Sequence, residues 1–393
     1  MNCNDLAKSV QGDVINWRRE LHQIPEVGLD LPQTSKYISD QLDNMGIPHR
    51  KNVGVSGIVG IIEGKKPGKT IALRADMDAL PILEETGLDF ASTNGNMHAC
   101  GHDCHSAILL GVAKILNKNK DNMTGNVKLI FQPAEEGPGG AKPMLDDGAF
   151  ENPKVDGVMG LHIGGITGDR RDGQVIVSYG SMMACLDRFK MTIKGKGSHG
   201  AYPENSIDPI SITSQIIGNV QTIISREISP TDPAVITFGM IKGGSQYNII
   251  PDTVELEGTV RAVDQTVRAN LAKRFKEISK SVADGMRGSV EIDYTFGYPP
   301  VINNSEITKQ FVDSAKKVMP EDEIIEIKKP VMGGEDMAYF INEVPGTFFF
   351  LSSHQPVDGI LYPHHNSKFA VNEDIFKRGV ALLLQATNDW LEK

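Results

Sequence analysis

The chain predicts a layered α/β domain with a mostly parallel sheet, interrupted by an inserted α+β domain. Three observations support this. Strand-like and helix-like segments alternate up to about residue 185, the pattern becomes βαββαβ between 186 and 296, and the α/β pattern resumes from 297 to 393. The expected division is therefore 1–185 with 297–393 for one domain and 186–296 for the other. A length of 393 residues also exceeds what one ordinary core needs.

The elements follow in order. Leu6, Val10, Val14, Trp17 and Leu21 recur at spacings of three and four, which predicts an amphipathic helix over 5–22. A second helix is expected from Thr34 to Met45, closed by Gly46. Strands over 56–62 and 70–75 precede a helix from about His105 to Asn117. A strand over 126–131, a helix over 141–146 and a strand over 157–161 complete the first run. In the inserted stretch, strands are expected over 188–194, 234–241, 253–260 and 290–296, with helices over 207–225 and 264–283, the order of a ferredoxin-like unit. Beyond Gly297-Tyr-Pro-Pro300, a helix over 305–318 and an apolar strand over 346–351 return to the first pattern.

Composition narrows the function classes. Forty per cent hydrophobic residues argue for a folded chain, and a net charge of −10 gives no basic face for nucleic acid. No apolar run reaches membrane-spanning length, and the polar start Met1-Asn-Cys-Asn-Asp-Leu carries no secretory pattern. Four cysteines do not make a disulfide framework, so a reducing, cytoplasmic setting is expected.

The chemistry concentrates in two segments. Met97-His-Ala-Cys100-Gly-His102-Asp103 holds a thiol and imidazoles around a glycine, and Phe131-Gln-Pro-Ala-Glu135-Glu136-Gly137 holds adjacent carboxylates. Sulfur and imidazole suit a divalent transition ion such as Zn, Mn, Co or Ni. Ligands of open α/β sheets bind beyond the carboxyl ends of the strands. Asp76 and Asp78, Glu135 and Glu136, and His162 each follow or end a predicted strand, so three strand ends should converge on one rim. Gly101 permits a turn that aims both Cys100 and His102 inward. Successive side chains in an extended segment point apart, so one glutamate can ligate while its neighbour carries protons. A carboxylate beside acidified water can take a proton, direct the attack on a carbonyl and return the proton to a leaving amine, which is amide hydrolysis. Taken singly these residues have ordinary readings: Cys100 as a small buried hydrophobe, Asp76 and Asp78 as turn formers before Pro81, the glutamates as acids near a helix start.

Four motifs together resemble the aminoacylase and carboxypeptidase family of metallohydrolases. They are Leu73-Arg-Ala-Asp76-Met-Asp78-Ala-Leu-Pro81, Met97-His-Ala-Cys100-Gly-His102-Asp103, Phe131-Gln-Pro-Ala-Glu135-Glu136-Gly137 and Gly333-Gly-Glu-Asp336. The resemblance is to the branch of hippurate hydrolases, N-acyl-L-amino-acid amidohydrolases, N-acetyldiaminopimelate deacetylases and plant auxin-conjugate hydrolases, and it spans nearly the whole chain. It implies a metallopeptidase-like catalytic domain with one or two divalent ions held by Cys100, His102, Glu136, His162 and His365, and Glu135 as general acid and base. His364 is read as the bland neighbour of His365.

The same resemblance makes the inserted domain a lid through which the chain forms a homodimer. His199, in Gly195-Lys-Gly-Ser-His199-Gly-Ala201, matches a histidine that stabilises the oxyanion in the partner subunit's site, and Asn248 and Arg261 match a pair holding a substrate carboxylate. The implied substrate is a small N-acyl-L-amino acid or similar amide with a free carboxylate. A dipeptidase or exopeptidase on the same site, or a non-catalytic binding relative, are the alternatives. Ala201-Tyr-Pro-Glu204 departs from the family in placing a carboxylate where a histidine is usual, and Cys185 is read as structural.

Overall fold

Strand Lys66–Asp76 lies inside an eight-stranded mixed sheet whose order is His49–Val53, Gly57–Glu63, Thr124–Gln132, Lys66–Asp76, Gly157–Ile163, Gly346–Leu351, Val175–Val177, Ile324–Glu326. This is a computed structural model that describes residues 2–168 and 170–393. The four strands from Thr124–Gln132 to Gly346–Leu351 run parallel. Parallel character does not extend through the sheet. His49–Val53 and Gly57–Glu63 are joined by residues 54–56, a connection too short for anything but an antiparallel pair, and Val175–Val177 runs antiparallel to Gly346–Leu351.

The sheet belongs to the first of two compact units, formed by Met1–Met182, Asn303–Val331 and Asp336–Lys393. Its central strands are buried on both faces, as parallel strands between helices must be. Every residue of Gly346–Leu351 is buried. Phe349 stacks on Phe311 of helix Ser305–Ala315 at 4.1 Å between ring centroids, while any Cβ on Gly160 would meet Phe348 and Met337. Helices Cys3–His22, His102–Asn119 and Phe376–Leu391 pack on one another. A Cβ on Gly111 would lie 2.6 Å from Val14 and 3.1 Å from Val380, so this glycine allows their close approach. No helix among the described residues is long and apolar enough to cross a membrane.

The second unit is Met183–Ile302 with Met332–Glu335. It contains a four-stranded antiparallel sheet in the order Ala234–Gly243, Thr253–Ala262, Leu186–Lys194, Ser289–Tyr298. Along Leu186–Lys194 buried and less buried residues alternate, the pattern of a sheet covered on one face. The covered face joins Phe189, Met191, Ile193, Leu256 and Val260 to Ile212, Ile216, Leu271 and Phe275 of helices Pro209–Thr222 and Gln265–Gly285. Asp208 and Asp264 cap those helices, Asp208 accepting from the Ile210 N–H and Asp264 from the N–H groups of Thr266 and Val267. A further two-stranded ladder pairs Ser198–His199 with Ile249–Ile250.

Candidate metal centre and active site

Three neighbouring parallel strands, Thr124–Gln132, Lys66–Asp76 and Gly157–Ile163, end on one rim and deliver Gln132, Asp76 and His162 to it. Helix His102–Asn119 begins beside them. It starts at His102, three residues earlier than the apolar spacing indicates, because Gly101 at its N-cap adopts φ +86°. A Cβ at Gly101 would also lie 2.9 Å from Ile163. The turn therefore needs glycine on both counts, and it brings Cys100 and His102 into one group of donors.

The donor atoms converge. Cys100, His102 and His162 form one group, Cys100, Glu136 and His365 a second, and His102, Glu135 and Glu136 a third, each with its ligand atoms within 4.8 Å of one another. Cys100 Sγ lies 3.4 Å from His162 Nε2, and His365 Nε2 lies 3.0 Å from Glu136 Oε1. Cys100, His102 and Glu136 each belong to more than one of these groups, so the donors form one continuous cluster. All six residues drawn from the two sequence segments and from His162 and His365 thus meet at one place.

Second contacts fix each donor. His162 donates from Nδ1 to the carbonyl of Ile163 at 2.9 Å, so the neutral ring turns its Nε2 lone pair toward Cys100. Burial, reinforced by His105 and His364, holds His162 well below its ordinary pKa, which keeps that lone pair free. His102 Nδ1 is 3.3 Å from Asp78 Oδ1, while its Nε2 is buried with no hydrogen-bond partner. That nitrogen faces the Asp76 carboxylate at 3.7 Å, and an imidazole nitrogen without a hydrogen bond among thiol and carboxylate donors suits a metal ligand, so the residues fit a divalent ion. Asp78 also accepts from the N–H groups of Glu135 at 3.0 Å and Glu136 at 3.1 Å, tying the glutamate turn to His102. Burial works against the charge of Glu136, but His365 and His102 hold it below the usual carboxylate range. Ala134 and His365 both adopt left-handed backbone (φ +57° and +64°), costing on the order of 1 kcal/mol or more each.

Several residues here carry roles that sequence reasoning passed over. His105 is one: it takes the Ile163 N–H on Nε2 at 2.8 Å and donates from Nδ1 to Asp76, so both nitrogens are committed although it lies among the metal-like donors. His364, read as a bland neighbour, donates from Nε2 to the same Ile163 carbonyl at 3.0 Å and packs edge-on against His162. Burial, opposed by that carbonyl, lowers His364 to about 4, so it remains neutral. Asp103 forms an ion pair with Arg18 at 2.8 Å and accepts from His22 at 2.7 Å, anchoring the start of the ligand-bearing helix. The available signal was Arg18 and His22, charged groups spaced i, i+4 on the otherwise apolar face of the first helix.

The remaining predicted residues lie in the second unit. His199 is exposed on the Ser198–His199 strand, and its Nδ1 accepts the Ala201 N–H at 3.1 Å. Asn248 stands beside it, with its carbonyl accepting from the Gly200 N–H at 2.8 Å. Arg261, on Thr253–Ala262 opposite Val235, is half-buried, and its Nη1 is buried without a hydrogen-bond partner. Cys185 is buried and accepts the Ala262 N–H at 3.1 Å, a structural contact.

A mixed α/β sheet with thiol, imidazole and carboxylate donors converging at its strand ends defines a hydrolase built on a metal-binding peptidase fold. The chain belongs to peptidase family M20/M25/M40, whose model matches residues 72–389. Thermostable carboxypeptidase 1 of Saccharolobus solfataricus is 41% identical over 387 residues, spanning 95% of this chain and 96% of that protein. The N-acetyl-L-cysteine deacetylase of Bacillus subtilis is 38% identical over 393 residues, spanning 100% and 90%. Among solved structures, the Bacillus subtilis YxeP protein, described as a dinuclear metal-binding peptidase of this family, superposes with a TM-score of 0.84 at 31% identity, covering 98% of this chain and 99% of that one.

Proposed function

We propose that the protein is a metal-dependent amidohydrolase that cleaves N-acyl-L-amino acids, or similar amides bearing a free carboxylate, into a carboxylic acid and an amino acid. The observation that carries this is the convergence of Cys100, His102, Glu136, His162 and His365, with a buried imidazole nitrogen of His102 that makes no hydrogen bond and Glu135 beside them. Those five residues would hold one or two divalent ions (Zn, Mn, Co or Ni). When bound, such an ion supplies positive charge that acidifies water and polarises a carbonyl. Glu135 is buried in the turn beyond its strand, where its carboxylate takes a proton from the attacking water and returns it to the amine as the C–N bond breaks. Asp78 orients His102 and the glutamate turn together.

The second unit would act as a lid that recognises substrate. Because the Ala201 N–H occupies His199 Nδ1, the neutral ring carries its proton on Nε2, a donor suited to a developing oxyanion. The unpaired guanidinium nitrogen of Arg261, with Asn248, suits a substrate carboxylate. Strand Ala234–Gly243 is an edge with Val235, Met240 and Ile241 exposed, which supports pairing with a second copy and a homodimer. Four free, buried cysteines support a reducing, cytoplasmic setting.

Likeness to a carboxypeptidase favours one second reading, removal of a C-terminal residue from peptides. A panel of N-acetyl, N-benzoyl and N-indoleacetyl amino acids and short peptides, offered to stripped enzyme reloaded with each metal, separates the two. Metal-dependent release of free amino acid from the acylated series supports the amidohydrolase, and turnover confined to peptides replaces it with the exopeptidase.

A further inference from the structure

Asp336 is completely buried, and its carboxylate receives donors from three parts of the first unit. Oδ1 accepts from Arg74 Nη2 at 3.0 Å and Gln132 Nε2 at 2.7 Å. Oδ2 accepts from the same Gln132 nitrogen at 2.8 Å and from the N–H groups of Gly140 and Ala141, each at 3.0 Å. All these contacts are donors and favour the anion, while burial and the nearby Asp78 push the Asp336 carboxyl above the usual carboxylate range, and carboxylate oxygens of Glu135 and Glu335 lie within 4.8 Å of it.

The network continues from Arg74, itself fully buried. Its guanidinium donates to Gln132 Oε1 and to Asp76 Oδ2, both at 2.8 Å. Asp76 takes the Nδ1–H of His105, and His105 Nε2 takes the N–H of Ile163, next to His162. One connected set of hydrogen bonds, charge-assisted as far as Asp76 and His105, therefore runs from the far end of the glutamate turn, through three strand ends, to the backbone beside a proposed metal donor. The glutamate turn has two anchors: Asp78 holds the N–H groups of Glu135 and Glu136, and Asp336 those of Gly140 and Ala141.

We propose that Asp336 is a positioning residue for amide hydrolysis: it sets the 133–141 turn, and Glu135 with it, against the strand ends that carry the metal donors, without touching substrate. The inference rests on the amidohydrolase reading. A small displacement of a proton-transferring carboxylate is enough to depress turnover by about 10- to 100-fold, whereas binding of the substrate carboxylate would be untouched.

The test uses the full chain with Asp336→Asn and Gln132→Met. The second variant keeps the Arg74–Asp336 pair and removes the whole Gln132 amide, its donors to Asp336 and its acceptor for Arg74 Nε, so it remains informative if Asp336→Asn fails to fold. Phe311→Leu serves as a control that loosens helix packing away from the network. Both network variants should lower kcat about 10- to 100-fold with KM within about twofold, metal stoichiometry unchanged, and Phe311→Leu at a matched loss of Tm should keep its kcat. In the metal-free protein, amide exchange at Gly140 and Ala141 should quicken at least about tenfold in Asp336→Asn. Unchanged exchange, or a kcat loss no greater than that of the control, overturns the proposal. A wild type inert toward every amide overturns the amidohydrolase reading and this inference with it; an active wild type whose variants keep kcat overturns this inference alone.

Discussion

His162 and His199 are both histidines at strand ends, yet their surroundings differ in almost every respect. His162 is 4% exposed, with Nδ1 bound to a backbone carbonyl, Nε2 facing a thiol, and the rings of His105, His102 and His364 against it. His199 is exposed on a two-residue strand and is oriented by one backbone N–H and the neighbouring Tyr202 ring. Donors for a cation must be assembled before it arrives, because ordering them on binding would consume the affinity. A donor for charge that forms only during reaction has to meet a substrate that enters and leaves, and an exposed position serves that need. The first unit thus carries the proposed bond-breaking chemistry on buried, mutually bonded residues at its strand ends and turns, and the second carries proposed recognition on its loops and edges.

The contrast can be broken in order of effect. His199→Ala should lower kcat by about 10²–10³-fold, the usual cost of one oxyanion donor, with metal content unchanged by elemental analysis. A variant that loses metal instead would place His199 among the donors and erase the distinction. Mixed dimers of His199→Ala with Glu135→Gln should recover part of the activity if the lid histidine serves the partner subunit.

Cys100→Ala should weaken metal binding by more than about 100-fold, exceeding what the loss of a supporting contact costs. Full stoichiometry in that variant would remove Cys100 from the ligand set. The pH dependence sharpens the same point. In the metal-free protein burial opposes charge on His102, but Asp76, Asp78 and Glu136 overcome it and raise the ring to about 10. Burial, then Glu136 and Glu135, push the Cys100 thiol up as well. Both groups hold a proton at neutral pH, so loading one cation releases two protons and apparent affinity should rise about 100-fold per pH unit. The His102 contribution to metal-free stability has the opposite sign: it is complete below about pH 6.5 and fades as pH climbs through about 10. Calorimetry in buffers of different ionisation enthalpy counts the protons. The smallest effect belongs to the second unit: Arg261→Lys should raise KM about tenfold through loss of the planar fork, with kcat nearly unchanged.

How much of this was legible varied with the length scale that fixes each feature. The strand-end placement of Asp76, Glu135 and His162, and the need for glycine at 101, follow from local pattern and topology rules. The antiparallel flanks were harder, because Val175–Val177 and Ile324–Glu326 have only three residues each and carry no periodicity to read. Supporting contacts were least legible. His364 and His365 are adjacent and chemically identical, and only the fold turns one onto His162 and the other toward Glu136. Likewise Arg74 and Asp336 are 262 positions apart, so nothing local connects them.

The central claim, a buried carboxylate that moves protons beside a separately assembled metal centre, is tested most directly by Glu135→Gln. Metal content and N-acyl amino acid turnover would be measured on the same preparation. The account predicts wild-type metal stoichiometry with kcat reduced by at least about 10³-fold. Turnover near the wild-type rate, or loss of metal in parallel with activity, would contradict it.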